Sequence, residues 1–93
     1  MLVGVNTWDL QLPGCQSLKD KRGVIRPLTK RLRDKLNVSV AETAYQDRWQ
    51  RAEIACAVVA SDQRVLEQTL RAADQMVERA EGVRILDTTA VYQ

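Results

Sequence analysis

Four runs of alternating polarity and two runs of helical periodicity follow one another without a spare segment, and their order leaves few ways to fold. Residues Leu2 to Leu12 alternate and end at the turn signal Pro13-Gly14, which predicts a first strand. Ser17 is a good N-cap with Asp20 three positions on, and Leu18, Ile25, Leu28, Leu32 and Leu36 follow at helical spacing. A helix is expected from Leu18 to Leu36, stopped by Asn37, with a kink or an irregular start at the interior Pro27. Val38 to Tyr45 and Gln50 to Ala60 read as a hairpin joined through residues 46–49. Ser61 and Asp62 then cap an apolar stripe of Val65, Leu66, Leu70, Ala73, Val77 and Ala80 that stops at Gly82, and Val83 to Tyr92 forms the last strand.

At 93 residues there is room for one core. Two β-α-β units in one chain of this length predict an α+β fold: a ferredoxin-like βαββαβ sandwich, a single domain over residues 1–93, with a four-stranded antiparallel sheet and both helices on one face. If Val3, Val5, Val38, Val40, Ile54, Cys56 and Val58 face the helices, alternation puts Trp8, Ala41, Thr43, Ala55, Ala57, Val59, Leu86 and Thr88 on the open side. Trp8, Ala55, Ala57 and Leu86 are therefore the expected contacts of a homo-oligomer built through that side.

The net charge of +2 conceals a segregation. Ser17 to Leu36 holds eight basic and two acidic residues, a net of +6; the remaining six basic and ten acidic residues give −4. On a helical wheel Lys19, Arg22, Arg26, Lys30 and Arg33 form one ridge beside the apolar stripe, and Lys21, Arg31 and Lys35 flank its other side. Like charges at these spacings repel, so the arrangement does not serve the helix itself. Phosphate backbones suit such a ridge, because each neutralised phosphate releases counterions. A solvated helix face whose long side chains cover the edges of the core is the plainer explanation.

Histidine is absent, which removes histidine-based acid-base chemistry, and two separated cysteines cannot make a zinc site. Nothing in the chain is arranged for catalysis, and no cofactor, metal or small-molecule substrate is expected. Domains of this topology that read single strands stack bases on aromatic side chains of the central strands, where only Trp8 is available here and phenylalanine is absent. Tyr45, Arg48 and Trp49 at the hairpin could add stacking. The loop from Leu12 to Arg22 occupies the position of the phosphate cradle of acylphosphatases but lacks their arginine-bearing glycine signature. No run is apolar enough to span a bilayer, and the opening MLVGVNTWDL is no secretory signal, so a cytoplasmic location is expected.

Three segments, SLKDKR (17–22), NVSVAE (37–42) and DRWQRA (47–52), resemble the YlxP-like family of small bacterial proteins, and the resemblance covers nearly the whole chain. It implies a ferredoxin-like fold and a gene neighbourhood shared with ribosome-binding factor A and initiation factor two, and it brings no established catalytic residues to carry over. The expectation is a non-catalytic accessory protein that binds structured RNA or a ribosomal particle through Lys19, Lys21, Arg22, Arg26, Lys30 and Arg33. The alternative is a homo-oligomeric interaction module using the open sheet face.

Overall fold

In the computed structural model, which describes residues 1–93, the elements are β1 (Leu2–Gln11), α1 (Leu18–Lys35), β2 (Ser39–Ala44), β3 (Arg51–Ala60), α2 (Gln63–Glu78) and β4 (Arg84–Tyr92). The sheet has the order β2-β3-β1-β4 with every neighbouring pair antiparallel. This is the expected ferredoxin-like arrangement. Ser17 Oγ accepts the Asp20 N–H at 3.0 Å and Asp20 Oδ2 accepts the Gln16 N–H at 3.0 Å, a reciprocal cap that starts α1. Asp62 Oδ1 does the same for α2 by accepting from the Val65 N–H. As expected, α1 is a single helix with Pro27 in its interior, and it starts regularly at the Ser17 cap. Pro27 and the residue whose carbonyl it leaves without a donor, Gly23, are both exposed, so that carbonyl lies on the solvent side.

The structure inverts the expected facing of β1. Gly4, Asn6, Trp8, Leu10 and Leu12 are the buried set, and Val3 and Val5 lie on the open side beside Val59 and Ala57. Register explains it, since Trp8 pairs with Ile54 and residues paired across a sheet share a face. Trp8 is fully buried, and its indole N–H donates to Asp74 Oδ1 of α2 at 2.9 Å. It is part of the core and cannot serve the oligomer contact expected of it. Thr88 pairs with Trp8 and so belongs to the helix side as well. Ala55, Ala57 and Val59 keep the open side, and Leu86, about half exposed, sits where the register between β1 and β4 shifts.

α2 sits close over β1. A methyl group placed on Gly4 would come within 2.8 Å of Leu70 Cδ1 and 3.0 Å of Leu66 Cδ1, so the missing side chain is what lets the helix down onto the strand. Asn6, also buried, donates from Nδ2 to the Leu70 carbonyl at 3.4 Å. α1 contacts β2 and α2, and buries Ile25, Leu28 and Leu32.

Candidate nucleic-acid interface

The cap at Ser17 and the apolar stripe fix the rotation of α1 about its axis, and that rotation decides which cations reach solvent. Lys19, Arg22, Arg26, Lys30 and Arg33 are all exposed, as are Arg31 and Lys35. Five of the six expected contact residues thus share one accessible face. Three are partly engaged: Arg22 Nε donates to the Leu18 carbonyl at 3.3 Å, Lys30 pairs with Asp34, and Arg33 Nη2 donates to the Val40 carbonyl at 3.3 Å on edge strand β2. The Lys30–Asp34 pair is solvent-exposed on both sides and holds the lysine only weakly.

Lys21 does not belong to this face. It is 3% exposed; its ammonium lies 2.7 Å from Glu42 Oε2 and donates to the Tyr45 carbonyl at 2.8 Å. The physical reason is angular: at about 100° per residue Lys21 falls in the same sector as Leu28 and Leu32. It ties the first turns of α1 to the end of the β2–β3 hairpin. Glu42 Oε2, itself buried, has this ammonium as its sole partner.

The hairpin end lies beside the basic face because of that tie. Tyr45 holds a positive φ of 64°, and its carbonyl also accepts the Arg48 N–H at 2.9 Å to close the turn. The strand therefore stops at Ala44 and not at Tyr45. The Tyr45 ring is occupied: the Arg51 guanidinium lies 4.7 Å from its centre while forming a bidentate pair with Asp9, at 2.8 Å for the closer contact. Trp49 is about half exposed, and is the aromatic side chain of the hairpin that remains accessible.

A second feature adjoins the ridge. A cleft of 280 Å³ lies between α1 and the end of β2, lined from α1 by Leu18, Lys21, Arg22, Ile25 and Arg26 and from the hairpin by Glu42 and Gln46. Leu18 is a helix-start leucine left 37% exposed. Helical spacing assigns Leu18 to the core stripe; only the position of the hairpin end shows that a gap remains beside it.

Two N–H groups of the loop before α1 bond locally, as does that of Asp20 in the first turn. Cys15 donates to the Leu12 carbonyl, Gln16 to Asp20, and Asp20 to Ser17 Oγ. Burial pushes the Cys56 thiol up to about 11. Cys15 is also raised, first by burial and then by Asp20, against an opposing pull from Lys21. Both are protonated and unreactive near neutral pH. No group of three or more acidic or cysteine side chains comes together as metal ligands would, and no helix is long and apolar enough to cross a membrane.

The family model described as "Protein of unknown function (DUF503)" matches residues 3–90. The uncharacterized protein YlxP of Bacillus subtilis (strain 168) is 42% identical over 55 residues, a stretch that spans 59% of this chain and 60% of that relative. Among solved structures, the NMR structure of a de novo designed protein with ferredoxin fold overlays with a TM-score of 0.52 at 11% identity, covering 100% of this chain and 83% of the design. That overlay speaks to the fold alone.

Proposed function

The chain belongs to the DUF503 family, and from that premise we propose that it is a non-catalytic accessory protein of the cytoplasm that docks on structured RNA, ribosomal particles first, through the exposed face of α1. The observation that carries this reading is the accessible ridge of Lys19, Arg22, Arg26, Lys30 and Arg33 on one side of one helix. Arg22, Arg26 and Lys30 stand four residues apart, a spacing that costs a few tenths of a kcal/mol per like-charged pair. A polyanion offsets that repulsion and adds counterion release at each contact. The ridge reads backbone and shape, and the sheet does not read bases, because the open face of the central strands presents Val3, Val5, Thr7, Ala55, Ala57 and Val59, with no ring on which a base could stack.

Co-sedimentation with ribosomal particles on a low-salt gradient tests the reading. Wild-type protein should travel with a subunit or precursor and leave it as salt rises, whereas the folded variant Arg22→Glu/Arg26→Glu/Lys30→Glu should stay at the top. Co-sedimentation insensitive to both salt and charge reversal would sink the proposal.

A second reading rests on the half of the open sheet face that is apolar. Val59 and Val91 are more than half exposed, and with Val3, Val5, Ala55 and Ala57 they form a patch suited to a second copy, with Leu86 at the flank. Light scattering at high concentration checks it: the patch predicts a dimer that Val59→Glu dissociates, and a strictly monomeric wild type removes the reading.

A further inference from the structure

We propose that the cleft between α1 and the end of β2 seats one unpaired nucleotide of the RNA, with its base in the cleft and its phosphate on Arg22 and Arg26. The inference rests on the RNA reading and gives it a point of sequence contact. Three features of the cleft together fit a nucleobase better than they fit a run of duplex backbone, which needs only the ridge.

The first is size and surface. At 280 Å³ the cleft is slightly smaller than the usual ligand site and has room for a single ring system. Its α1 wall carries an aliphatic strip, the partly exposed Leu18 above the buried Ile25, flanked by the cationic Lys21, Arg22 and Arg26. The second is the rim. Arg22 Nε donates to the Leu18 carbonyl at 3.3 Å, which holds its guanidinium beside the mouth, where the planar group can stack on a base while its outer N–H groups meet phosphate. The third is the set of polar groups opposite. Gln46 Nε2 donates to the Glu42 carbonyl at 3.3 Å, so its amide oxygen is free to accept. Glu42 adds a carboxylate fixed by Lys21. Acceptors placed on one side of a cleft select bases that carry an exocyclic amino group, as adenine, cytosine and guanine do, over uracil, which presents a carbonyl there.

Position joins the three. The cleft shares Arg22 and Arg26 with the ridge, so a strand following the ridge can turn one base inward without leaving its phosphate contacts. Lys21 is thereby an organiser of the site: it fixes Glu42 and the hairpin end, and does not meet phosphate itself.

The test is fluorescence anisotropy with labelled RNA hairpins at one salt concentration: one fully paired, one with a single bulged adenosine, one with a single bulged uridine. The bulged adenosine should bind about tenfold tighter than the paired hairpin, and the uridine less than about threefold tighter. Leu18→Ala and Gln46→Ala, each at an exposed position and each checked for fold by circular dichroism, should erase most of the adenosine gain and leave paired-hairpin affinity within about twofold. Equal affinity for paired and bulged hairpins, or a gain that neither variant alters, overturns the seat while the ridge stands. Failure of every hairpin to bind in a salt-dependent way overturns the RNA reading and the seat with it.

Discussion

α1 and α2 lie on one face of the same sheet and are close in length, 18 and 16 residues, yet they are built to opposite ends. α2 buries Leu66, Leu70, Ala73 and Val77, comes down onto β1 where Gly4 makes room, and takes the Trp8 N–H on Asp74. Its residues carry two basic and three acidic groups, a net of −1. α1 carries eight basic and two acidic groups, a net of +6, and two of its five buried residues, Lys21 and Thr29, are polar. It also contains both a glycine and a proline, where α2 has neither. One helix seats the fold and the other presents charge. Regular secondary structure on a shared sheet face therefore says little about role; what each helix buries says more.

The comparison can be broken most forcefully at α2. Leu70 is 3% exposed and touches the strand through Gly4, so Leu70→Ala should cost about 2–5 kcal/mol in urea denaturation. Arg26→Ala on α1 should stay within about 0.5 kcal/mol while weakening RNA binding. Similar costs at the two positions would erase the division of labour.

Lys21→Ala sharpens the contrast from within α1. Removing the ammonium leaves the buried Glu42 Oε2 without a partner and frees the Tyr45 carbonyl. Glu42 is a quarter exposed, which softens the penalty for a broken buried pair to about 2–3 kcal/mol. RNA affinity for the fully paired hairpin, measured on the folded fraction, should hold. A loss of paired-hairpin affinity without a loss of stability would return Lys21 to the ridge.

The apolar core between helices and sheet makes a prediction about pH. The Cys56 thiol, raised from 9.0 to about 11 by burial, favours the folded state while it stays neutral. That contribution is fully present below pH 9, and is lost as pH rises through about 11, roughly 3 kcal/mol in all. Cys56→Ala should lose less stability over the same interval, and parallel pH curves for the two proteins would refute the assignment.

The element order was legible because each segment carried its own periodicity, and four of the boundaries rest on caps or turns visible in sequence: Ser17, Asp62, Gly82 and Pro13-Gly14. The facing of β1 was not. Its buried stripe contains Gly4 and Asn6, neither of them hydrophobic, because one admits α2 and the other donates to a helix carbonyl. Val3 and Val5 therefore outweighed them in a pattern that counts hydrophobicity. Lys21 misled for the complementary reason. A charge inside the apolar sector of α1 makes sense only once Glu42, twenty-one residues later, stands opposite it. The cleft beside Leu18 depends on the same long-range placement of the hairpin end, which no local pattern encodes.

The smallest effect bears on why α1 should be the weaker helix by design of its sequence. Gly23 is exposed within α1, and a methyl group built there meets nothing within 4 Å, so Gly23→Ala should raise stability by about 0.5–1 kcal/mol through the lower entropy of the unfolded chain. α2 offers no equivalent change, since it has no glycine to replace. Gly23 lies between the ridge and Arg31 on the helical wheel, where a side chain would hold an approaching strand away from the backbone. If the variant gains stability and loses RNA affinity, the bare crest of α1 is a contact surface, and its conformational weakness is a consequence of binding. If it gains stability and binds as before, the ridge acts through its side chains alone. A loss of stability would mean that α1 is held in a strained path at Gly23, and the view of it as a regular helix that merely presents charge would have to be given up.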